Sequence, residues 1–504
     1  MSSQKTIVNF FKLFLFLTTC NFASSQTLNQ TKNTTNTTNS TQDCALNHID
    51  NPDTSFVILC SVLVMLMTPA LGFFYGGLVK TNNMMSMLGQ CLTIYCVTTA
   101  VWTLVGFSLV FSAKSNWGLI GGLNNALLID VDYSPIARVT GDISFFLFYF
   151  FQMQFACVCP ALIIGATAER LRWKPMIIFC IAWHILVYCP IAHWNWNHKG
   201  WLMLLGIKDF AGGNVIHITA GMSAMALVMY LENDPVKKSK IYQKRREDGT
   251  TQYTDNLPVF EKDESIVNIN FSKSSLVFLV IGTMLLWFGW FGFNAGSVLR
   301  SNNKAVLAAV NTNVAPAFAL ITWVILDSIY KNKPSVSGMC MSIVCGLAGI
   351  TPGAGWVRVW ATIIIGIVSA FCAYFSLLYR DKYKIFDDRL DVFGCHAVSG
   401  VIGGLGVGFF YCDVTLDGKS CDPTNGFGIV YGDAMQLCYQ LIGIISTVAY
   451  SFITTYIIIS VLSMFMDVTT GWNYDEGFEK MDFNEYGLPP AELRIPNDES
   501  SIRA

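Results

Sequence analysis

The sequence predicts an all-α polytopic membrane protein. Eleven transmembrane helices are expected, as two inverted five-helix repeats plus a final helix, with the N-terminus outside and the C-terminus inside. Three observations predict this. Hydrophobic residues fill 53% of the 504 positions and charged residues only 13%, against roughly 25% charged in a soluble domain. Apolar stretches near the ~20-residue length that crosses a bilayer recur along the chain. Most of the 32 Lys and Arg fall in alternate loops, as they must if basic loops stay inside. The net charge of −2 gives no reason to expect a nucleic-acid partner. The lipid bilayer is the partner this composition requires.

Taken in order, residues 1–25 read as a signal peptide. Lys5 precedes an apolar run too short to span, and Ala23, Ser24 and Ser25 offer a cleavage site. Residues 26–54 form a polar low-complexity tail with four sequons, at Asn29, Asn33, Asn36 and Asn39. Behind a signal peptide these are expected to be glycosylated on the exterior. The transmembrane domain covers residues 55–466. Its helices are expected at 55–76, 89–112, 143–166, 176–193, 213–232, 274–293, 305–327, 337–350, 360–378, 395–411 and 434–465, the two halves being about 55–232 and 274–411. Arg170, Arg172, Lys174, Arg380 and Lys382 then fall inside with most of the basic residues. A cytoplasmic tail occupies 467–504. Entry to the secretory route makes the plasma membrane the expected destination, with an endosomal or other secretory-route membrane as the alternative.

Most of the 16 cysteines lie in apolar helices, where a thiol behaves as a small hydrophobe. Cys412 and Cys421 share one predicted exterior loop and are placed to pair; Cys44 in the tail is another candidate. No Cys-x-x-Cys or Cys/His ligand spacing occurs, so no metal and no cofactor are expected.

Two of the six histidines have matching surroundings deep in predicted helices five and ten. His217 stands in "HITAG" and His396 in "HAVSG", each behind an aspartate ("DFAGG" at 209, "DVFG" at 391). An odd repeat must be inverted relative to its copy, and inverted repeats place their shared site near the midplane. The two imidazoles are expected to meet there. Side by side in a dry pore they cannot both be charged, but neutral they can share an N–H···N bond. Such a seam suits a small guest that both donates and accepts hydrogen bonds. It suits a metal cation poorly, lacking a cage of oxygens.

Three stretches cluster aromatics near the predicted exterior: "FFQMQFA" at 150–156, "HWNWN" at 193–197 and "WFGWFGFNAGS" at 287–297. Belt anchoring explains each alone. Together they suggest one vestibule, because desolvated aromatic faces attract a cation by about 2 kcal/mol or more. Ser297 would add a hydroxyl.

With these residues in view the chain resembles the ammonium transporter (Amt/Mep/Rh) family, on its Amt/Mep branch. The resemblance covers roughly residues 50–490 and rests on "FFYGGLV", "GATAERLRW", "HWNW", "DFAGGNVIHITAG", "WFGFNAGS", "GITPGAGWV" and "DVFGCHAVSG", in that order. It implies that Phe151, Phe155, Trp196 and Ser297 bind substrate, that Phe155 and Phe293 gate the pore, and that His217, His396 and Trp290 line it. It implies a homotrimer with one pore per subunit, carrying ammonium or ammonia. Methylammonium use and hetero-oligomers with paralogues are open extensions. Asp209 is read as an N-cap accepting from Ala211 or Gly212, with an electrostatic role in the vestibule.

The resemblance leaves channel-like and proton-coupled uptake both open. An ammonium sensor with the same fold and a Rh-type ammonia gas channel stay as alternatives. An intramembrane enzyme is disfavoured, because no third metal ligand or nucleophile–base pair accompanies the histidines. In "GFEKMDFNEYG", Asn484 and Tyr486 replace a threonine and a histidine common in plant relatives, which puts phosphoswitching there in doubt. Ser239, Thr250 and Thr251 remain candidate sites in the charged 233–273 loop.

Overall fold

The computed structural model describes residues 49–136, 139–233, 273–413, 420–422 and 426–469. The signal peptide, the four sequons, Cys44, Ser239, Thr250, Thr251, Asn484 and Tyr486 lie outside the described residues. Among the described residues eleven helices are long and apolar enough to cross a membrane: α1 (Asn51–Gly76), α2 (Thr81–Phe111), α3 (Phe145–Ile163), α4 (Trp173–Leu205), α5 (Gly213–Glu232), α6 (Ser275–Gly296), α7 (Asn303–Tyr330), α8 (Val336–Gly353), α9 (Val359–Tyr383), α10 (Phe393–Phe410) and α11 (Met435–Phe465). A two-stranded hairpin, β1 (Ser115–Asn116) with β2 (Ile120–Gly121), follows α2. The protein is a multi-pass membrane protein.

Local chemistry sets several helix starts. Asp50 Oδ1 accepts from the Asp53 N–H at 2.7 Å and Pro52 stands in the first turn, a favoured N-terminal pairing. Ser144 and Ser335 cap α3 and α8 in the same way. Helix α4 runs well past the expected 193. Its apolar stretch ends near there, but "HWNW" continues helical to Trp196 and a short turn, Trp201–Leu205, follows. Aromatic, histidine and asparagine side chains dilute the hydropathy at that end without breaking the helix.

The two halves meet through glycines. A Cβ at Gly282 of α6 would stand 2.4 Å from Phe74 N of α1, and one at Gly292 2.6 Å from Cys60 O. Helices α1 and α6, the first of each half, therefore touch backbone to backbone. The fifth of each half do likewise: a Cβ at Gly221 of α5 would come within 2.5 Å of Ala397 N on α10. Small residues serve this purpose in lipid, where apolar burial alone does not draw helices together. Helices α3, α5 and α8 are the most enclosed, and α7 and α11 the least.

Candidate functional site

Both matched histidines sit in π-helical turns at the start of their helices. His217 lies in Gly213–Ile218 and His396 in Phe393–Val398. A π turn widens the helix by one residue and leaves carbonyls without their ordinary partners, a device common at functional sites. Here hydroxyls fill the gaps: Thr219 Oγ1 donates to Asn214 O at 2.7 Å, and Ser399 Oγ to Gly394 O at 3.4 Å. The glycine-backed α5–α10 crossing brings the two turns together.

His217 and His396 stack at 5.3 Å between ring centres, with their Nδ1 atoms 3.2 Å apart. Each neutral imidazole carries a single N–H. The ring donating from Nδ1 therefore has a bare Nε2, and the ring accepting at Nδ1 has its proton on Nε2. Whichever way round, the pair offers one donor and one acceptor at its two Nε2 atoms. His217 Nε2 is buried with no hydrogen-bond partner among the described residues.

Trp290 stacks on His217 at 5.3 Å, and its Nε1 donates to Thr351 Oγ1 at 3.0 Å, which fixes the indole plane. A narrow cavity lies beside these rings, lined among others by Tyr75, His217, Trp290, Phe293, Cys395 and His396. The space open to the centre of a water-sized guest is about 20 Å³, enough for about one such molecule.

Phe293 continues the stack, 6.1 Å from His217, and packs at 4.3 Å on Phe155. Phe155 meets Trp196 edge to face at 5.8 Å and Phe151 at 5.0 Å. Phe151 is fully buried, behind Phe155 and against Gly296, whereas Trp196 is part-exposed. Ser297 Oγ donates to Phe293 O at 2.8 Å, which leaves its lone pairs free to accept. One aromatic column thus runs from Trp196 through Phe155 and Phe293 to the histidines.

Asp209 joins the two ends of that column. Its carboxylate accepts from the N–H groups of Gly212, Gly213, Asn214 and Val215 at 2.5–3.2 Å, so of the two expected donors Gly212 is used and Ala211 is not, and the cap extends three residues further along. Its carbonyl accepts from Trp196 Nε1 at 3.1 Å. Burial pushes the carboxyl up to about 6, although the four N–H groups pull it down. Gly212, at φ +115°, makes the tight approach possible.

The second half does not copy this arrangement at Asp391. With φ +59° its side chain turns to Arg380, at 2.6 Å, and Asp388 instead accepts from the Phe393 N–H at 2.7 Å. The sequence match predicted the helix start and missed which carboxylate caps it. Tyr75, Thr351 and Cys395 were also missed as parts of the site, although each stands in or beside a quoted motif. His184 is another fully buried histidine, in a π turn of α4 (His184–Tyr188), and it lies outside the column among Trp102 and Tyr188. Cys412 and Cys421 form a disulfide, and Cys412 N–H donates to Trp356 O beyond the end of α10.

The model of the Ammonium Transporter Family matches residues 55–254 and 259–488. The ammonium transporter of Bacillus subtilis is 36% identical over 414 residues, 82% of this chain and 92% of that protein. Ammonium transporter 1 of Dictyostelium discoideum is 35% identical over 88% of each chain. The crystal structure of Candida albicans Mep2 aligns with a TM-score of 0.71 at 34% identity, covering 83% of this chain and 85% of that one. A structure described as a sensor Amt protein aligns at 0.69 and 26% identity, covering 84% and 95%. The chain belongs to the Ammonium Transporter Family.

Proposed function

We propose that the protein moves ammonium across a membrane, capturing the cation at the aromatic end of the column and passing it, deprotonated, along His217 and His396. The single observation that carries this reading is the histidine pair itself. One donor and one acceptor, set in apolar walls beside a cavity for one water-sized guest, match ammonia, which both donates and accepts. A desolvated charge at the depth of the histidines would cost several kcal/mol, so the proton leaves at or below the Phe155–Phe293 contact, before the pair is reached. Trp196 contributes its face to the cation, and Ser297 its lone pairs to an ammonium N–H. Asp209 acts indirectly, holding Trp196 and the start of α5 while adding negative potential.

The basic-loop bias supports an exterior N-terminus and an interior C-terminus, with the aromatic end outside. The resemblance supports a homotrimer, and the signal peptide's entry into the secretory route supports a plasma-membrane location. A sensor with the same fold is the second reading, favoured by the sensor among the similar structures.

The deciding test is ammonium-evoked current in voltage-clamped oocytes, with surface delivery verified for wild type and for His217→Ala. A saturating current that the variant loses, or carries with less ammonium selectivity, is expected for electrogenic transport. Growth rescue of a transporter-deficient yeast without current would mean electroneutral conduction. Neither signal, with protein at the surface, would leave the sensor.

A further inference from the structure

Helix α11 belongs to neither five-helix half, and the transport reading gives it no part. Near its start it nevertheless carries two buried amides, Gln436 and Gln440, the second only 1% exposed. Residues four apart share one face of a helix. A buried amide is costly unless its donors and acceptor find partners, so what this face meets is informative.

Gln440 meets the backbone beside Asp209. Its Oε1 accepts from the Lys208 N–H at 2.9 Å, and its Nε2 donates to the Lys208 carbonyl at 2.8 Å. Only one orientation of the amide satisfies both contacts. The same Nε2 reaches Gly404 O of α10 at 3.3 Å. One side chain of α11 thereby ties the loop before α5 to a helix of the other half. Beyond Asp209, the Phe210 N–H donates to Pro352 O at 3.0 Å. Asp209 therefore sits between two residues whose backbones are each held by another element. The Lys208 side chain is turned elsewhere, its Nζ over the Tyr411 ring at 5.3 Å. Gln436 donates to Gly206 O at 3.3 Å, further from Asp209.

We propose that Gln440 is a positioning residue for ammonium capture, an inference that rests on the transport reading of the aromatic end. It acts on the backbone and not on the cation. By holding Lys208 it sets where Asp209 begins, and so where the Asp209 carbonyl accepts from Trp196 Nε1 at 3.1 Å. Without the amide the segment shifts, the indole loses its anchor, and its face is no longer fixed toward the cation. Capture weakens, while the histidine contact is kept by the α5–α10 crossing.

Gln440→Met keeps the length of the side chain and removes the amide. In oocytes, with flux divided by surface protein, it should raise the half-saturating ammonium concentration roughly two- to tenfold. Saturating flux should stay near wild type. If the methionine variant fails to reach the surface, Gln440→Asn, whose amide stops one methylene short, is measured instead with the same expectation. Combined with Trp196→Leu, the substitution should bind no more weakly than Trp196→Leu alone, because the glutamine works through the indole. Thr455→Val removes a different buried α11–α5 bond, to Ser223 Oγ at 2.9 Å, and should leave half-saturation unchanged. A second arm does not depend on flux. Purified full-length protein is melted across an ammonium chloride series at constant ionic strength, and the midpoint of stabilisation should move by the same factor. Unchanged half-saturation and midpoint, an equal shift in Thr455→Val, or effects that multiply in the double variant overturn the assignment. A wild type that ammonium stabilises but that carries no flux, and whose midpoint Gln440→Met still moves, sinks the transport reading and leaves the positioning role standing.

Discussion

Asp209 works through two groups at once, its carboxylate on four N–H donors of α5 and its carbonyl on Trp196. Asp209→Asn replaces one accepting oxygen by an NH2 group facing those donors. Buried polar groups left unsatisfied cost about 1–3 kcal/mol, so the variant should melt earlier in detergent and transport poorly. The pH dependence has a definite sign. The folded carboxyl is raised from 3.8 to about 6, so the folded state holds the proton more tightly than the unfolded chain. The stability this adds is fully present below pH 3.8 and is lost as pH rises through about 6. The gap in melting temperature between wild type and Asp209→Asn should therefore narrow over that window; a gap that widens contradicts the assignment. Trp196→Leu removes a cation–π face worth about 2 kcal/mol and should raise the half-saturating ammonium concentration by roughly tenfold or more. Saturating flux should fall less. A loss of maximal flux at unchanged half-saturation would place the tryptophan in the conduction path and not in capture.

Between helices the decisive feature is how closely α5 and α10 cross. Gly221 lies so near Ala397 that an added Cβ would stand 2.5 Å from a backbone nitrogen, a contact that only backbone movement relieves. That movement separates the π turns and with them the 3.2 Å histidine contact. Overpacking of this kind costs about 1–3 kcal/mol. Gly221→Ala should therefore give protein that reaches the membrane in lower yield, with transport impaired beyond the loss of protein. Unchanged transport per surface molecule would mean the histidines tolerate the displacement. His184 makes a useful contrast at this scale. It too is buried in a π turn, yet among the described residues no second histidine faces it, and its ring is packed among Trp102 and Tyr188. A π turn supplies room for a side chain, and the crossing helix decides what that side chain meets.

For the molecule as a whole, two inverted halves explain why the column is single and central: α1 pairs with α6, α5 with α10, and the histidines come one from each half. The last helix, α11, closes the side of α5 through Tyr230, whose hydroxyl meets Ser463 Oγ, and through Thr455, which bonds Ser223. Orientation is testable at this scale. If Asn29, Asn33, Asn36 and Asn39 enter the secretory lumen, peptide N-glycosidase should increase the protein's gel mobility, and changing all four to Gln should abolish that shift. A wild-type chain indifferent to the enzyme would remove the sequon argument for an exterior N-terminus.

Class and span number were legible in the sequence because lipid imposes a length and a polarity on every helix, and eleven segments met both. The meeting of His217 with His396 was legible for a related reason: an inverted repeat maps sequence equivalence onto spatial adjacency. Other features were not. That Asp388 and not Asp391 caps α10 depends on a left-handed turn at Asp391 and on Arg380 reaching it from α9. The extension of α4 through "HWNW" escaped hydropathy because that measure scores side-chain polarity and ignores the partners each polar group finds. Periodicity and polarity are local and can be read along a chain. Which buried group faces which is set by helix crossings between residues far apart in sequence, and the tertiary structure alone decided those.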